Sequence, residues 1–302
     1  MHVAVVGAGP VGTMVALHLS AVGKHNVVLV ARPGKRLDQL VGQQQAQQTQ
    51  LRTSANAPTP LSGAVDVAPE LDKEVAFDWV IVAVTNANVD ALLPTLSASR
   101  AKRVCFMFNT VRPLQELEQA VGARRFAFAF PAVMAKLEPD GALFRDFPPA
   151  SAQVTVTSDA ELQRMLLGAG IPHVTLEREM QAWLRWHGAF VVPLTMLAHA
   201  ANGKRGAGYG ASLGAARVFK EGVRIMRAIG EPAHPAFLGI LSRLPAPVVA
   251  AVFMGLSRMP AIRDGSNYFN AAEMREIRDA VVGLAEGKSV HLALLPTALN
   301  GE

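Results

Sequence analysis

Through the first half of the chain, short uninterrupted apolar runs alternate with stretches of helical period. HVAVV (2–6) precedes a helix-compatible segment from Val11 to Ala21, and VVLV (27–30), DWVIVAV (78–84), RVCFMF (103–108) and RFAFAF (125–130) follow. Runs this uniformly apolar belong to strands that helices bury on both faces. Their alternation with helices predicts a doubly wound parallel α/β sheet. QVTVTS (153–158), ELQRMLLGAG and HVTLE (173–177) read as a strand–helix–strand unit that closes this domain. From about Glu179 the strand pattern stops, and helical segments follow with breaks at GKRGAGYG (203–210), GEPAHP (230–235) and LPAP (244–247). The expected organisation is an α/β domain over 1–178 and an all-helical domain over 179–302. The glutamine-rich QQQAQQTQ (43–50) reads as a polar helix or loop face, and no repeat of solenoid period is present.

A chain of 302 residues can bury two cores. Half of it is hydrophobic and 18% is charged, which raises the question of a membrane segment. The longest apolar runs, 188–201 and 244–256, fall short of the roughly 18–20 residues a bilayer requires, and Pro193 and His199 interrupt the first. The N-terminus enters a strand directly, without the basic region of a signal peptide. Cys105 is the single cysteine and lies in VCFMF, where a thiol packs as a small hydrophobe. A reducing, cytoplasmic compartment is expected. The net charge of +5 suits an anionic ligand. The basic residues are scattered, without interleaved aromatics, which argues against nucleic acid.

One motif changes the picture. Gly7-Ala8-Gly9-Pro10-Val11-Gly12 is a G-x-G-x-x-G that directly follows a strand and opens a helix. The first glycine permits the tight turn, the second lets a pyrophosphate approach the backbone, and the third lets helix and strand pack closely. The helix N-terminus offers N–H groups and the positive end of its dipole to phosphate. The α/β domain is therefore expected to be of Rossmann type. Past the second strand the chain reads VARPGKR, with no carboxylate before Asp38 to accept from a ribose 2′-hydroxyl. Arg32 stands there, with Lys35 and Arg36 behind it. A guanidinium can pair with a 2′-phosphate, so NADP(H) is expected over NAD. Ligands of such sheets bind beyond the carboxyl ends of the strands. That draws attention to Thr85-Asn86-Ala87-Asn88 and to Asn109-Thr110, although each can equally form a turn or cap a helix.

With these pieces in place the chain resembles the ketopantoate reductase (2-dehydropantoate 2-reductase) family. GAGPVG, VARPGKR, VAVTNAN (82–88) and FNT (108–110) match its landmarks in order, as do the tryptophan-led helix after the boundary, VVPLT (191–195) and the acidic residue in NAAEMREI (270–277). The resemblance implies an NADP-dependent oxidoreductase acting on CH–OH groups, which reduces a 2-keto acid, typically ketopantoate, in pantothenate biosynthesis. It implies cofactor contacts from residues 7–12, Arg32, Thr85, Asn88 and Asn109, and substrate contacts from Asn109 and Glu273. It also implies a lysine as proton donor two residues after the tryptophan, and here Trp183 is followed by Leu184 and Arg185. The family's asparagines on this helix are replaced within HGAFVVP, and Ala261 takes the serine position, flanked by Ser257 and Ser266. The cofactor half is kept and the substrate half has diverged. The expected partner is a small 2-keto acid, with a homodimer left open and neither nucleic acid nor membrane implied.

Hydride delivery to a ketone leaves negative charge on oxygen, which needs a proton or a fixed positive charge. Arginine does not deprotonate in proteins, so Arg185 can bind a carboxylate or stabilise an oxyanion but is a poor acid. His187 titrates near neutrality and could give up a proton. Two residues apart on a helix, the two side chains point about 200° apart and do not share a face. Gly188-Ala189 beside His187 would leave room for a ligand, and the alternative for His187 is a hydrogen-bonded core position. Glu273, with Arg275, Glu276 and Arg278 nearby, could instead belong to a solvated ion-pair face. Reduction of a different carbonyl or imine, and a non-catalytic NADPH sensor, are the competing readings.

Overall fold

A computed structural model describes residues 1–46, 51–150, 154–263, 265 and 270–300. The chain forms two compact units, Met1–Phe108 with Pro113–Arg178, and Asn109–Arg112 with Glu179–Glu302.

The first unit runs β1 (His2–Val6), α1 (Pro10–Ala21), β2 (Asn26–Val30), α2 (Lys35–Gln45), β3 (Leu51–Arg52), β4 (Ser62–Gly63), β5 (Asp66–Ala68) and β6 (Trp79–Val82). It continues with α3 (Asn86–Val89), α4 (Leu93–Ala98), β7 (Arg103–Met107), α5 (Leu114–Val121), β8 (Phe126–Phe130), β9 (Met134–Leu137), β10 (Leu143–Asp146), β11 (Thr155–Thr157), α6 (Ala160–Gly168) and β12 (Val174–Leu176). Eight strands make one sheet in the order β12-β11-β8-β7-β6-β1-β2-β5. β1 lies between β2 and β6, and the chain crosses from one side of it to the other, so the β1–α1 turn stands at the switch point of the sheet.

The sheet is not wholly parallel, as the apolar runs had suggested. β11 pairs antiparallel with β8, while β12 pairs parallel with β11. The reason lies between β8 and β11, where the described residues make only the antiparallel hairpin β9–β10. Without a helical crossover it returns in the opposite direction. The edge strand β5 and the hairpins β3–β4 and β9–β10 carry no sustained apolar run and escape a reading by periodicity. The strand expected over 78–84 ends at Val82. Gln43–Gln45 complete α2, and 47–50 lie outside the described residues.

Fully buried Val3, Val5, Leu17, Trp79, Ile81 and Cys105 form the centre of this core. Burial raises the Cys105 thiol pKa well above its ordinary value and leaves it inert, as a packed hydrophobe should be.

The second unit is helical: α7 (Met180–Ala201), α8 (Tyr209–Ala228), α9 (Ala236–Arg243), α10 (Ala246–Leu256), α11 (Pro260–Arg263) and α12 (Ala271–Gly283). α8 packs against α7 and α10, and α12 against α7. The approach of α8 to α7 is close, since a Cβ on Gly222 would stand 2.9 Å from that of Ala189. Trp186, Phe219 and Phe253 fill the core. Two buried charges hold the C-terminal segment. Glu221 accepts from the backbone N–H groups of Ala293, Leu294 and Leu295, and Arg278 donates to the Ala298 carbonyl at 2.5 Å and to Asn300 Oδ1 at 2.6 Å. Among the described residues, no helix is long and apolar enough to cross a membrane.

Candidate functional site

The turn between β1 and α1 is built around three glycines with separable duties. Gly7 has φ +110° and donates its N–H to the Val30 carbonyl at 2.9 Å. A Cβ there would stand 2.4 Å from the Ala83 carbonyl oxygen, and one on Gly12 would stand 1.8 Å from that of Gly7. Both positions exclude a side chain because backbone occupies the space. Gly9 differs: it is the extended N-cap residue of α1, and a Cβ there would meet nothing within 4 Å. The opening at Gly9 is the cradle a phosphate backbone contact requires, and its cost is that no side chain caps the helix. Pro10 at the first helical position lacks the N–H that would in any case be unpaired. Thr13 Oγ1 donates to the Ala8 carbonyl and braces the turn at 3.3 Å, with Val11 half-buried between them. No acidic residue occupies the first turn of α1, so nothing there opposes an anion.

Past β2 the three basic residues separate. Arg32 is exposed and has no ion pair among the described residues, and Lys35 is exposed at the start of α2. Arg36 is half-buried, with Nη1 donating to Gln39 Oε1 at 2.9 Å. Asp38 lies in the first turn of α2, beyond Arg36. Thr85 is the extended N-cap of α3, and Asn88 donates to it through Nδ2 at 2.6 Å and through its backbone N–H. Thr85 holds the N-cap position without a side-chain cap bond, and it is half-buried while Asn88 is exposed.

In the second unit, Asn109–Arg112 packs with the helices. Gln181 Nε2 donates to the Arg112 carbonyl at 3.1 Å, and Val111 lies over Gly188. Asn109 is buried, and its Oδ1 has no hydrogen-bond donor among the described residues. The room expected beside Gly188 is filled: a Cβ there would be 2.5 Å from Val111 Cγ1 and 3.3 Å from Val281 Cγ2. A side chain at 188 would have to displace Val111, with Val281 and Ile277 of α12 close behind it.

Arg185 and His187 take different surroundings, as their helical spacing requires. His187 is buried and stacked on Trp183, and burial pushes its pKa down to about 3. At neutral pH it is an uncharged imidazole. Arg185 donates through Nη1 to Glu231 Oε2 at 2.5 Å. Glu273 sits in the first turn of α12, whose N-cap Asn270 accepts from the Ala272 and Glu273 N–H groups. It is half-buried, without an ion pair among the described residues, and burial, then Glu276, raises its carboxyl pKa. It stands one turn before Ile277, on the face of α12 that meets Gly188. Arg278, expected beside it, instead anchors the C-terminal segment. Ser257 is buried and donates to the Met254 carbonyl while accepting from the Ala207 N–H. Ala261 falls in α11, and Ser266 lies outside the described residues. Sequence reasoning missed Glu231; its Gly-Glu-Pro context signals a helix end but gives no hint of Arg185 as partner.

Residues 3–149 match the model of the family described as ketopantoate reductase PanE/ApbA. No curated protein matches the chain in sequence. Among solved structures it is similar to a dimeric ketopantoate reductase from Staphylococcus aureus, with a TM-score of 0.65 and 14% identity over 99% of this chain and 96% of that one. It is similar to D-mandelate dehydrogenase in ternary complex with NADH and anilino(oxo)acetate, with a TM-score of 0.69 and 16% identity over 99% and 96% of the two chains. It is also similar to NADP+-bound yersinopine dehydrogenase, with a TM-score of 0.71 and 16% identity over 99% and 89%. These likenesses concern the fold, and the sequence match rests on the half that carries the glycine turn. The likeness in sequence is thus to the ketopantoate reductase PanE/ApbA family, and it spans residues 3–149.

Proposed function

We propose that the protein reduces a 2-keto acid to the 2-hydroxy acid with NADPH, in the manner of a 2-dehydropantoate 2-reductase. The open backbone at Gly9, between two glycines that packing makes obligatory, carries the reading. Residues 7–12 would hold the pyrophosphate, Arg32 the 2′-phosphate, and Thr85, Asn88 and Asn109 the ribose and nicotinamide end. Bound NADPH supplies the hydride that reaches the carbonyl carbon.

This chain's own residues then have two tasks, to bind a carboxylate and to provide a proton for the carbonyl oxygen. Arg185 keeps a permanent positive charge and suits the first. Glu273 suits the second, because its raised pKa lets it hold a proton closer to neutrality than an ordinary glutamate does. Asn109 Oδ1, buried and without a donor among the described residues, can accept from a ligand hydroxyl or carboxamide. His187 contributes as a neutral, packed ring. The dimeric S. aureus relative supports a homodimer, for which exposed Phe237, Ile240, Val248 and Val252 on α9 and α10 offer an apolar face. The reducing compartment suited to Cys105 is the cytoplasm.

A second reading has its own support. Arg185 is paired with Glu231 and His187 is held uncharged, so neither of these two residues of α7 supplies a proton. A protonated imine already carries its proton on nitrogen and needs no acid during hydride delivery. NADPH oxidation with ketopantoate, phenylglyoxylate and pyruvate tests the first reading, and pyruvate with added amino acids tests the second. Turnover only when amino acid is present would favour the imine. NADPH binding without turnover on any of them would leave a sensor.

A further inference from the structure

We infer that Glu231 is a positioning residue that presents Arg185 edge-on to a substrate carboxylate. The inference rests on the keto-acid reading above and assigns a task to a residue outside the family motifs.

The guanidinium has two edges that can grip a carboxylate with paired hydrogen bonds. In Arg185, Nη1 is bound to Glu231 Oε2 at 2.5 Å. Nε is buried without an acceptor, and Nη2 has no hydrogen bond among the described residues. The donors left over are therefore Nε and Nη2, which lie side by side and match the two oxygens of a carboxylate. A buried Nε–H with no acceptor is unfavourable by itself, and an arriving carboxylate removes that deficit. The side chains of Arg185 and Glu231 are 20% and 13% exposed, so water competes for this edge only partly.

Glu231 is well fitted to hold the guanidinium still, because backbone geometry fixes where it begins. α8 ends with Gly230 in the left-handed region, φ +74°. The Glu231 N–H donates to the Met226 carbonyl at 2.9 Å and that of Gly230 to Arg227 at 3.1 Å. This pair of bonds is a Schellman termination, and it places Glu231 at a defined point off the helix end. A long arginine side chain otherwise loses much rotamer freedom on binding. Held in advance, it loses less, and the affinity gained is directional. The ion pair is close to neutral as a unit, so recognition depends on the matched donor pair more than on net charge. The ligand class is a small molecule with a planar carboxylate, as in a 2-keto acid.

Oxamate, a 2-keto acid isostere that cannot accept hydride in this way, is the probe, titrated calorimetrically into NADPH-saturated protein. Arg185→Lys keeps the charge and the Glu231 pair but removes the side-on edge, and should raise the oxamate Kd at least about tenfold. Glu231→Ala should raise it about fivefold or more, with KM for the keto acid rising in parallel and kcat changing less. Glu231→Gln retains an acceptor for Nη1 and should restore most of the affinity. A purely structural ion pair would lower thermal stability in both Glu231 variants without ordering their Kd values. An oxamate Kd unmoved by Arg185→Lys, or unmoved or tightened by Glu231→Ala, overturns the inference while wild-type turnover of keto acids leaves the reductase reading intact. Absence of wild-type turnover on every keto acid defeats the reductase reading itself, and is separable because it is read before any variant is made.

Discussion

The imidazole of His187 lies flat on the indole of Trp183, with ring centroids 4.8 Å apart and planes 7° from parallel. One helical turn separates the two residues, and both rings are buried. Burial holds His187 near a pKa of about 3, and His18, whose Nδ1 lies 2.8 Å from the Ala169 carbonyl, near about 4. The unfolded chain binds protons at both residues below its ordinary histidine pKa of about 6.5, whereas the folded chain does not. Their depressed values therefore leave stability intact above pH 6.5 and erode it as pH falls toward 4. Each histidine should cost about 2 kcal/mol by pH 5. Urea denaturation at pH 7.5 and pH 5 should show that loss, and His187→Phe, which keeps a ring on Trp183, should make the acid limb shallower. An unchanged limb would mean that His187 is not buried as a neutral group.

Gly9 and Gly12 should part company under the same substitution. Gly12→Ala forces a Cβ against the Gly7 carbonyl and should destabilise the first unit by about 1–3 kcal/mol. Gly9→Ala meets open space and should leave the melting temperature nearly unchanged, while weakening NADPH at least about tenfold. Fluorescence titration and thermal melts on the two variants make the comparison. If Gly9→Ala binds NADPH normally, the phosphate does not approach that backbone.

Arg32→Glu places a carboxylate where a 2′-phosphate is expected. NADPH should weaken far more than NADH, by about a hundredfold against about twofold, since a charge-assisted pair is replaced by like-charge repulsion. Equal losses for the two nucleotides would count against a 2′-phosphate contact and return Arg32 to an exposed loop residue.

Glu221 is 4% exposed, and its carboxylate receives the N–H groups of residues 293–295 at 2.8–3.2 Å. Glu221→Gln directs amide hydrogens at those donors and should cost about 1–3 kcal/mol. Hydrogen exchange should speed up first at 293–299, where Leu295 and Leu299 are buried. Uniform acceleration across the second unit would show that the C-terminal segment is not a separate element.

Much of this was legible in the residues alone. Consecutive apolar positions are enough to identify strands covered on both faces, and the spacing of the three glycines announces the tight turn at Gly7 and the close packing at Gly12. The end of strand patterning near Glu179 marks where a different kind of packing begins. The antiparallel β11 and edge strand β5 were not legible, because direction and pairing depend on connections and not on composition. Position 185 shows the same division. An arginine where the resemblance implies a lysine can be read from the sequence, together with the chemistry it forbids. That Glu231, 46 residues later, takes Nη1 and leaves Nε and Nη2 is decided by α8 folding back along α7 and stopping at Gly230. Gly188 is the counterpart: from sequence it suggested space, and only the packed side chains of Val111, Ile277 and Val281 reveal that the space is full. Local chemistry is written residue by residue, but which groups are already satisfied depends on neighbours brought from far along the chain.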